Sequence, residues 1–588
     1  MSKKKIAVSR EGIRMTDRQS FSGIRAGLTI TLAVVLAAGG CTSNAFRADP
    51  LDKDTIVSRD QVRSINALMI ERYAREEPSA DSGQVLDEAR ARFAAMETVE
   101  MGIGEARVSA LENNLGLAAT LLAPTIAGER VSGEEARFEA AFTLGASWSE
   151  TDDAVASTLS SSQAKSQNIT PGVRIPLHTG GEITVTAPFS RFETDNAFST
   201  LNPAYTSDVN ISLSHNLLRG AGRRVATHSI RIAEYDRQIS EAQSKLEVIR
   251  VLANVDRAYW RLYASVKALE VVEQQYRVAF EQLESARRKE RGGAGTEVDV
   301  VRAQSGVADR VEQIIAAQNA VELNERSLKG MMNIPGLDVD SRTRLVIDSV
   351  PDPVEYAFDE EELVGSAIDN RMELLELELQ LARDAAAIAF AENDKLPLLA
   401  MQYTYRINGL GSTLDNSVDT LGRNNFEDWS IGLNAEIPLG NEQRKSTLAQ
   451  SILARLQRLS TRDARRQAIR QEVYDATTNL SSTWNRILAS RESVVLNARV
   501  LDAERRQFDA GLRTSRDVLD ADARLAEARL AEIRALVDYQ IAQIDLAVST
   551  GTLLGQAKVD WAPREPGDLS PAMEGVPRYR PASGLVVD

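Results

Sequence analysis

Residues 287–300 read RRKERGGAGTEVDV, and residues 505–518 read RRQFDAGLRTSRDV. Adding 218 to the first numbering superposes the two segments without a gap. Each segment begins at the end of a long stretch without glycine or proline. These stretches are Arg223–Arg291 in the first case and Asn441–Ala510 in the second. Helices of that length would extend roughly 100 Å at about 1.5 Å per residue, whereas ordinary globular helices have about 11 or 12 residues. The pattern predicts two very long helices, each followed by a short turn.

The similarity of these segments is part of a duplication that covers most of the chain. Ser109–Leu117 resembles Ser366–Leu374 at an offset of 257, so the first half holds 39 additional residues between these landmarks. We divide the chain into a first repeat at 105–334, a connector at 335–357 and a second repeat at 358–556.

The long helices are predicted within the ranges 221–332 and 441–554. Each range contains one long helix, a turn and a second helix that runs back. Their apolar residues fall three and four positions apart, in a narrow stripe among many Ala, Gln, Arg and Glu residues. Such a stripe is typical of coiled-coil packing in which one side of the helix stays in water.

Each repeat also contains segments in which apolar and polar residues alternate strictly, at about 138–214 and about 397–438. Alternation with period two gives one apolar and one polar face, as in a half-buried strand of a soluble sheet or a strand of an outer-membrane barrel. The tyrosines and tryptophans, with polar loops at Glu150–Gln167 and Asn408–Glu427, favour the barrel.

The 39 additional residues include a candidate hairpin, in which Val173–Leu177 and Glu182–Thr186 flank the turn residues Thr179–Gly181. The sequence leaves open whether this hairpin lies in the membrane or outside it. The remaining four strands are too few to close a membrane barrel, which needs about eight. An open edge in lipid leaves backbone groups unpaired at several kcal/mol each, so copies of the chain are expected to share a barrel. The predicted fold is mainly helical, with coiled-coil helices forming a tunnel below that shared β-barrel.

The composition excludes several classes of function. The chain of 588 residues has a formal charge of −15, which is unsuited to sequence-independent nucleic-acid binding. Its three histidines, His178, His215 and His228, form no cluster with metal-ligand spacing and no recognisable catalytic set. We therefore expect no enzymatic activity, no cofactor and no metal site.

The N-terminus has the pattern of an export signal. Basic residues precede an apolar run at Ala26–Ala38, and two glycines stand directly before Cys41, the one cysteine of the chain. Small residues before a lone cysteine resemble the bacterial lipobox, in which the cysteine is lipid-modified. The alternative is an ordinary signal peptide followed by an incidental cysteine. The segments outside the repeats are thus a signal peptide at 1–40, an N-terminal periplasmic segment at 41–104 and a proline-rich tail at 557–588.

Over about Glu105–Gly555 the chain resembles the TolC-like outer-membrane efflux proteins, in particular their lipid-anchored branch. The resemblance rests on the duplicated order helix-strand-strand-helix-helix, on Leu217–Gly220 (LLRG) after a strand, and on Gly511–Ala521 (GLRTSRDVLDA). It departs from the family at His215 and Asn216, which replace the usual Gln-Pro.

The resemblance implies a homotrimer in the outer membrane of a Gram-negative bacterium. Its three chains would build a twelve-stranded barrel and a helical tunnel in the periplasm. The implied partners are a periplasmic adaptor (membrane fusion) protein and an inner-membrane transporter. Together they would form a tripartite efflux or type I secretion system that exports small molecules or proteins.

The resemblance also assigns a role to the two hairpin tips. Gly293 with Thr296, and Gly511 with Thr514, would meet the adaptor. Glycine permits a tight reversal, and threonine can cap the returning helix. That capping role alone is the alternative explanation of these residues.

A periplasmic gate is implied next to these tips. Asp517 and Asp520 match aspartates that ring the closed entrance, and Arg513 and Asp299 match the partners of an ion pair that holds the entrance shut. Phe508 stands where the family has a tyrosine, so one hydrogen bond of that latch is absent. The alternative for the acids is a solvated helix face near a helix N-terminus, where the dipole favours negative charge.

A second hypothesis is a lipid-anchored periplasmic coiled-coil scaffold without a pore. It accounts for the long helices and for Cys41. It leaves both pairs of alternating strands unexplained.

Overall fold

The computed structural model describes residues 96–155, 161–510 and 512–560, all within one compact unit, Asp81–Asp588. The predicted signal peptide, Cys41, Gly511 and the tail from residue 561 lie outside the described residues. The described chain is mainly helical and contains one large sheet, which confirms the predicted fold class.

Each repeat contains a very long helix and a helix that runs back, as predicted. Numbered in chain order, α5 spans His228–Arg291 (64 residues) and α10 spans Glu442–Asp509 (68 residues). They are followed by α6, Glu297–Met332, and α11, Ser515–Ser549. Among the helices of the described ranges, none combines the length and the apolar character needed to cross a membrane. The shorter helices are α1 (Ile103–Asn113), α2 (Leu115–Leu121), α3 (Ala123–Glu135), α4 (Arg223–Ala226), α7 (Glu360–Asn370), α8 (Met372–Asp394), α9 (Leu414–Gly422) and α12 (Leu553–Gln556).

The duplication is visible in the helix breaks that precede the strands. In the first repeat the break falls at Asn114, whose Oδ1 accepts a hydrogen bond from the Leu117 N–H at 2.9 Å and so caps α2. The equivalent break in the second repeat falls at Arg371, before α8. Its buried guanidinium pairs with Glu373 at 2.7 Å and with Glu472 of α10 at 2.8 Å. The two repeats therefore break the helix at corresponding positions but stabilise the break with different side chains.

The large sheet has the order β2-β3-β4-β6-β8-β9, and β5 pairs with β3 and β6. Strands β4 and β5 lie end to end between β3 and β6, so seven strands occupy six positions side by side. All neighbours in this sheet are antiparallel. A separate parallel pair, β1 with β7, links residues before α1 to the connector. The strands are β1 (Thr98–Met101), β2 (Ala141–Asp152), β3 (Gln163–Leu177), β4 (Gly181–Thr186), β5 (Phe189–Thr194), β6 (Ala204–Asn216), β7 (Arg344–Ile347), β8 (Leu398–Gly411) and β9 (Glu427–Glu436).

The four alternating segments of the sequence are β2, β6, β8 and β9, and the candidate hairpin belongs to the same sheet. The predicted loop Glu150–Gln167 is shorter than expected, because the β2–β3 ladder continues to Asp152 opposite Gln163. Lys165 and Glu150 form a cross-strand ion pair of 2.7 Å within this extension. The predicted loop Asn408–Glu427 contains α9, which begins after Thr413, whose side chain accepts a hydrogen bond from the Asn416 N–H. Strand β5 was not predicted.

The largest cluster of buried apolar side chains lies where α5 packs against α1, α6 and α11. Tyr259, at the centre, is fully buried. Its hydroxyl donates to the Met101 carbonyl at 3.0 Å and accepts from the Ser349 N–H at 3.1 Å, which ties β1 and the connector to α5.

An ion pair joins the start of the first repeat to the same part of α5. Arg107 Nε and Nη2 donate to the two carboxylate oxygens of Asp256 at 2.7 and 2.9 Å, and the Asp256 side chain is fully buried. Burial raises the pKa of Asp256, and the Arg107 guanidinium acts in the opposite direction. The charge on Asp256 therefore depends on its bidentate partner.

Replacing Arg107 with alanine should lower the free energy of unfolding by about 3–5 kcal/mol, because a buried carboxylate would lose its counter-ion. Guanidinium unfolding followed by helical circular dichroism measures the change. The double variant Arg107→Leu/Asp256→Leu removes both charges and should recover most of the loss. A single variant as stable as the parent would contradict this assignment.

Candidate functional site: the two hairpin tips

The first tip reverses the chain between α5 and α6 through glycines. Gly293 has a φ of +73°, a left-handed conformation that a side chain disfavours. The Gly293 N–H donates to the Glu290 carbonyl at 2.9 Å, and the Ala294 N–H donates to the Lys289 carbonyl at 2.8 Å. These bonds satisfy carbonyl groups at the end of α5. At Gly295 an added Cβ would lie 3.0 Å from the Glu290 nitrogen, so a side chain there would require a small shift of the last turn of α5.

Both returning helices begin with the same reciprocal hydrogen bonds. Asp299 Oδ2 accepts from the Thr296 N–H at 3.1 Å and from its hydroxyl at 2.7 Å. Asp517 Oδ2 accepts from the Thr514 N–H at 2.9 Å and from its hydroxyl at 2.8 Å. In each case the threonine side chain faces the third backbone N–H of the helix, so the pairs are capping boxes.

These hydrogen bonds favour the ionised carboxylates. The Thr296 hydroxyl and backbone N–H hold the pKa of Asp299 below its ordinary value of 3.8. The Thr514 backbone N–H and hydroxyl do the same for the pKa of Asp517. Both acids therefore stay charged at neutral pH.

The remaining residues predicted for the gate have other partners within the chain. Arg513 Nε lies 3.3 Å from Glu504 Oε2 and donates to Gln507 Oε1 at 2.9 Å. Asp520 lies 3.8 Å from Arg516, one turn earlier on α11. Among the described contacts of a single chain, Arg513 and Asp299 do not meet.

The two hairpins contact one another near their tips. Lys289 Nζ lies 3.8 Å from the centre of the Phe508 ring, a cation–π distance. The Ser515 hydroxyl donates to Gln282 Oε1 of α5 at 3.2 Å. The ring face of Phe508 thus joins the two hairpins. It also packs on a buried cluster of α10 and α11 residues: Leu501, Val518, Ala521 and Leu525.

The structure reveals two features that sequence reasoning missed. Large apolar side chains are exposed at the tips, including Leu512 at 76% and Val298 at 56%. Asp522 of α11 is buried, and burial raises its pKa although Arg505, Arg310 and Arg529 act in the opposite direction. Helical spacing could have shown that Asp522 shares the buried face of Val518 and Leu525. Arg529 lies on α11 itself, but Arg505 and Arg310 come from α10 and α6, so sequence spacing could not have identified those two.

Comparison with known proteins decides the family. The family model described as outer membrane efflux protein matches residues 181–333 and 363–552, more than half of the chain. The chain belongs to this family. It is therefore a channel protein and not an enzyme, as the sequence predicted.

Individual relatives of the chain have outer-membrane names. It is 24% identical over 354 residues to the outer membrane protein TolC of Vibrio cholerae. This alignment covers 60% of the present chain and 78% of the TolC chain. It is 25% identical over 379 residues to the outer membrane efflux protein BepC of Brucella suis. This alignment covers 61% of the present chain and 76% of the BepC chain.

Solved structures share the fold. The Campylobacter jejuni CmeC outer membrane channel aligns with a TM-score of 0.58 at 15% identity, over 83% of this chain and 91% of that one. The open-state Neisseria gonorrhoeae MtrE outer membrane channel aligns with a TM-score of 0.54 at 15% identity, over 77% and 89% of the two chains.

Removal of either cap should loosen the hairpin tips of this family member without unfolding the rest. Thr296→Ala or Thr514→Ala should each cost about 1 kcal/mol of local stability. Hydrogen–deuterium exchange of peptides from the tips should become several-fold faster. Thr478→Ala, an exposed position in the middle of α10, is the matched control and should leave exchange unchanged. Unaltered exchange in both cap variants would show that the boxes do not hold the tips.

The capping boxes also predict an acid transition. Because the folded-state pKa of Asp517 lies below its unfolded value of 3.8, the box contributes stability above that pH. This contribution is lost as the pH falls through the folded-state pKa. A spin label at Leu512→Cys should therefore become more mobile in that range. The additional change Asp517→Asn should remove the transition, and a transition that persists would assign it to another group.

Proposed function

We propose that this protein is the outer-membrane channel component of a tripartite efflux or type I secretion system. Three copies form a pore continued by a periplasmic tunnel, through which small molecules or proteins leave the cell. Membership of the outer membrane efflux protein family supports this proposal, as do relatives named as outer membrane and efflux proteins.

The observation that carries the proposal is the pair of open edges of the large sheet. Strand β2 pairs only with β3 and strand β9 only with β8 in the described chain. Every residue of β9, and every residue of β2 except Ala141, is exposed. In lipid, each unpaired backbone group on these edges would cost several kcal/mol. Six strand positions are also fewer than the eight of the smallest closed membrane barrels.

The strand directions allow these edges to pair between copies. Each strand runs antiparallel to its neighbour, so the direction alternates from one position to the next. Because the sheet has six positions, the first strand, β2, and the last, β9, run in opposite directions. Strand β9 of one protomer can therefore pair antiparallel with β2 of the next. Repetition of this contact around an axis closes the barrel and sets the long helices side by side.

The same arrangement gives roles to the hairpin tips. The exposed Leu512 and Val298 offer apolar contacts to a periplasmic adaptor, which in turn contacts an inner-membrane transporter. Copies of Asp517 and Asp520 converge on the axis as a ring that attracts cations. Arg513 meets Asp299 of a neighbouring protomer when the entrance is closed.

The proposed location is the outer membrane of a Gram-negative bacterium, with the tunnel in the periplasm and a lipid anchor on Cys41. The alternative, a periplasmic coiled-coil scaffold without a pore, gives no reason for a sheet with one apolar face and two open edges. Purification in detergent separates the two. The channel is a heat-modifiable trimer that conducts ions in planar bilayers, whereas a monomeric rod without conductance would refute the proposal.

Neutralising the gate acids should open the pore to ions. Asp517→Asn/Asp520→Asn keeps a capping side chain at residue 517 but removes both charges from each chain. Single-channel conductance should rise, and block by divalent cations should weaken at least several-fold, because the ring no longer attracts them.

Asp502→Ala is the control, since this aspartate is largely exposed on α10 and pairs with Arg506 one turn away. It should leave divalent block unchanged. Equal block in parent and double variant would remove Asp517 and Asp520 from the gate while leaving the channel itself intact.

A further inference from the structure

The 39 additional residues of the first repeat lie inside the large sheet. Strand β3 pairs with β2 along the whole length of β2, from Ala141 opposite Arg174 to Asp152 opposite Gln163. Strands β4 and β5 then separate β3 from β6. The inserted strands thus occupy two of the six positions, between the first and second strands that the duplication predicts.

Strand β4 and the second half of β3 continue the apolar face of the sheet in register, whereas β5 places Arg191 and Glu193 on that face. Residues paired directly across neighbouring strands point to the same face. One row of direct partners crosses all six positions, and each of its members is apolar or aromatic. This row consists of Phe142 (β2), Val173 (β3), Val185 (β4), Ile211 (β6), Tyr405 (β8) and Trp429 (β9).

The neighbouring row shows the opposite face. Its members are small or polar, and within it Arg406 Nε donates to Asn210 Oδ1 at 2.7 Å. An inserted hairpin in water outside a membrane would have no need of this alternation. The row consists of Thr143 (β2), Gly172 (β3), Thr186 (β4), Asn210 (β6), Arg406 (β8) and Asp428 (β9).

The turn between β3 and β4 is fixed against the junction of sheet and helices. The His178 ring stacks on Phe138, just before β2, with ring centres 4.3 Å apart. On its other side, a Cβ added to Gly180 would lie 2.1 Å from the carbonyl oxygen of Gly220, just after β6. Both neighbours of the insertion therefore hold its turn, and a side chain at residue 180 would break the contact.

We propose that the insertion forms part of the barrel wall, so that each protomer supplies six wall strands. This inference rests on the proposed function, and a trimer would then have an eighteen-stranded barrel in place of a twelve-stranded one. Barrel diameter grows roughly linearly with strand number, so the lumen would be about 1.5 times as wide. The lumen face carries both signs of charge, including Arg174, Glu182, Arg406 and Asp428. Such a mouth suits bulky water-soluble cargo without selection for one sign of charge.

Single-cysteine variants at paired positions of two adjacent strands test this placement. Val185→Cys and Thr184→Cys probe the inserted β4, and their direct partners Ile211→Cys and Ser212→Cys on β6 are the matched controls. A bimane label at 185 should be quenched by brominated lipid as strongly as one at 211. The Thr184→Cys variant should react with a water-soluble maleimide as fast as the Ser212→Cys variant. Parent protein, whose one cysteine is Cys41, gives the background.

The outcomes separate the two proposals. If the β6 positions alternate between lipid and water while both β4 positions react with maleimide, the insertion lies outside the wall and the inference is wrong. If the β6 positions themselves fail to alternate, the barrel and the proposed function fall together.

Discussion

Backbone groups on a strand edge find no water to pair with inside a bilayer, and this constraint shapes the rest of the molecule. The chain presents one apolar sheet face and two open edges, β2 and β9, that its own residues do not cover in the described structure. Under the proposed function, other copies of the chain close the sheet. Once copies surround an axis, the helices attached to each strand pair stand side by side and extend the enclosed space away from the membrane.

The helical part can be this long because few of its residues need burial. Apolar side chains at intervals of three and four form one stripe on α5 and α10, and arginines, glutamates and glutamines cover the remainder. Order at the far ends depends on local chemistry: glycine at the reversal, a capping box on each returning helix, and the Lys289–Phe508 contact between hairpins. The tips are thus defined in shape while they expose apolar side chains such as Leu512 and Val298.

Sequence reasoning succeeded where the signal is local. Absence of glycine and proline located both long helices, and the threonines after the turns were recognised as possible caps of the returning helices. It failed where a feature depends on partners distant in the chain. Strand β5 and the first half of β3 are polar, and they form strands because they pair with other strands. The first half of β3 pairs with both β2 and β5. Arg505 and Arg310, which act on Asp522, likewise come from helices other than α11, and spacing alone does not give that packing.

The most direct test of a shared barrel is a cryo-electron microscopy map of the full-length protein in lipid nanodiscs. The account predicts three chains around one axis, with β9 of each chain hydrogen-bonded to β2 of its neighbour. A map in which β2 and β9 of the same chain pair with each other, around a lone protomer, would contradict it.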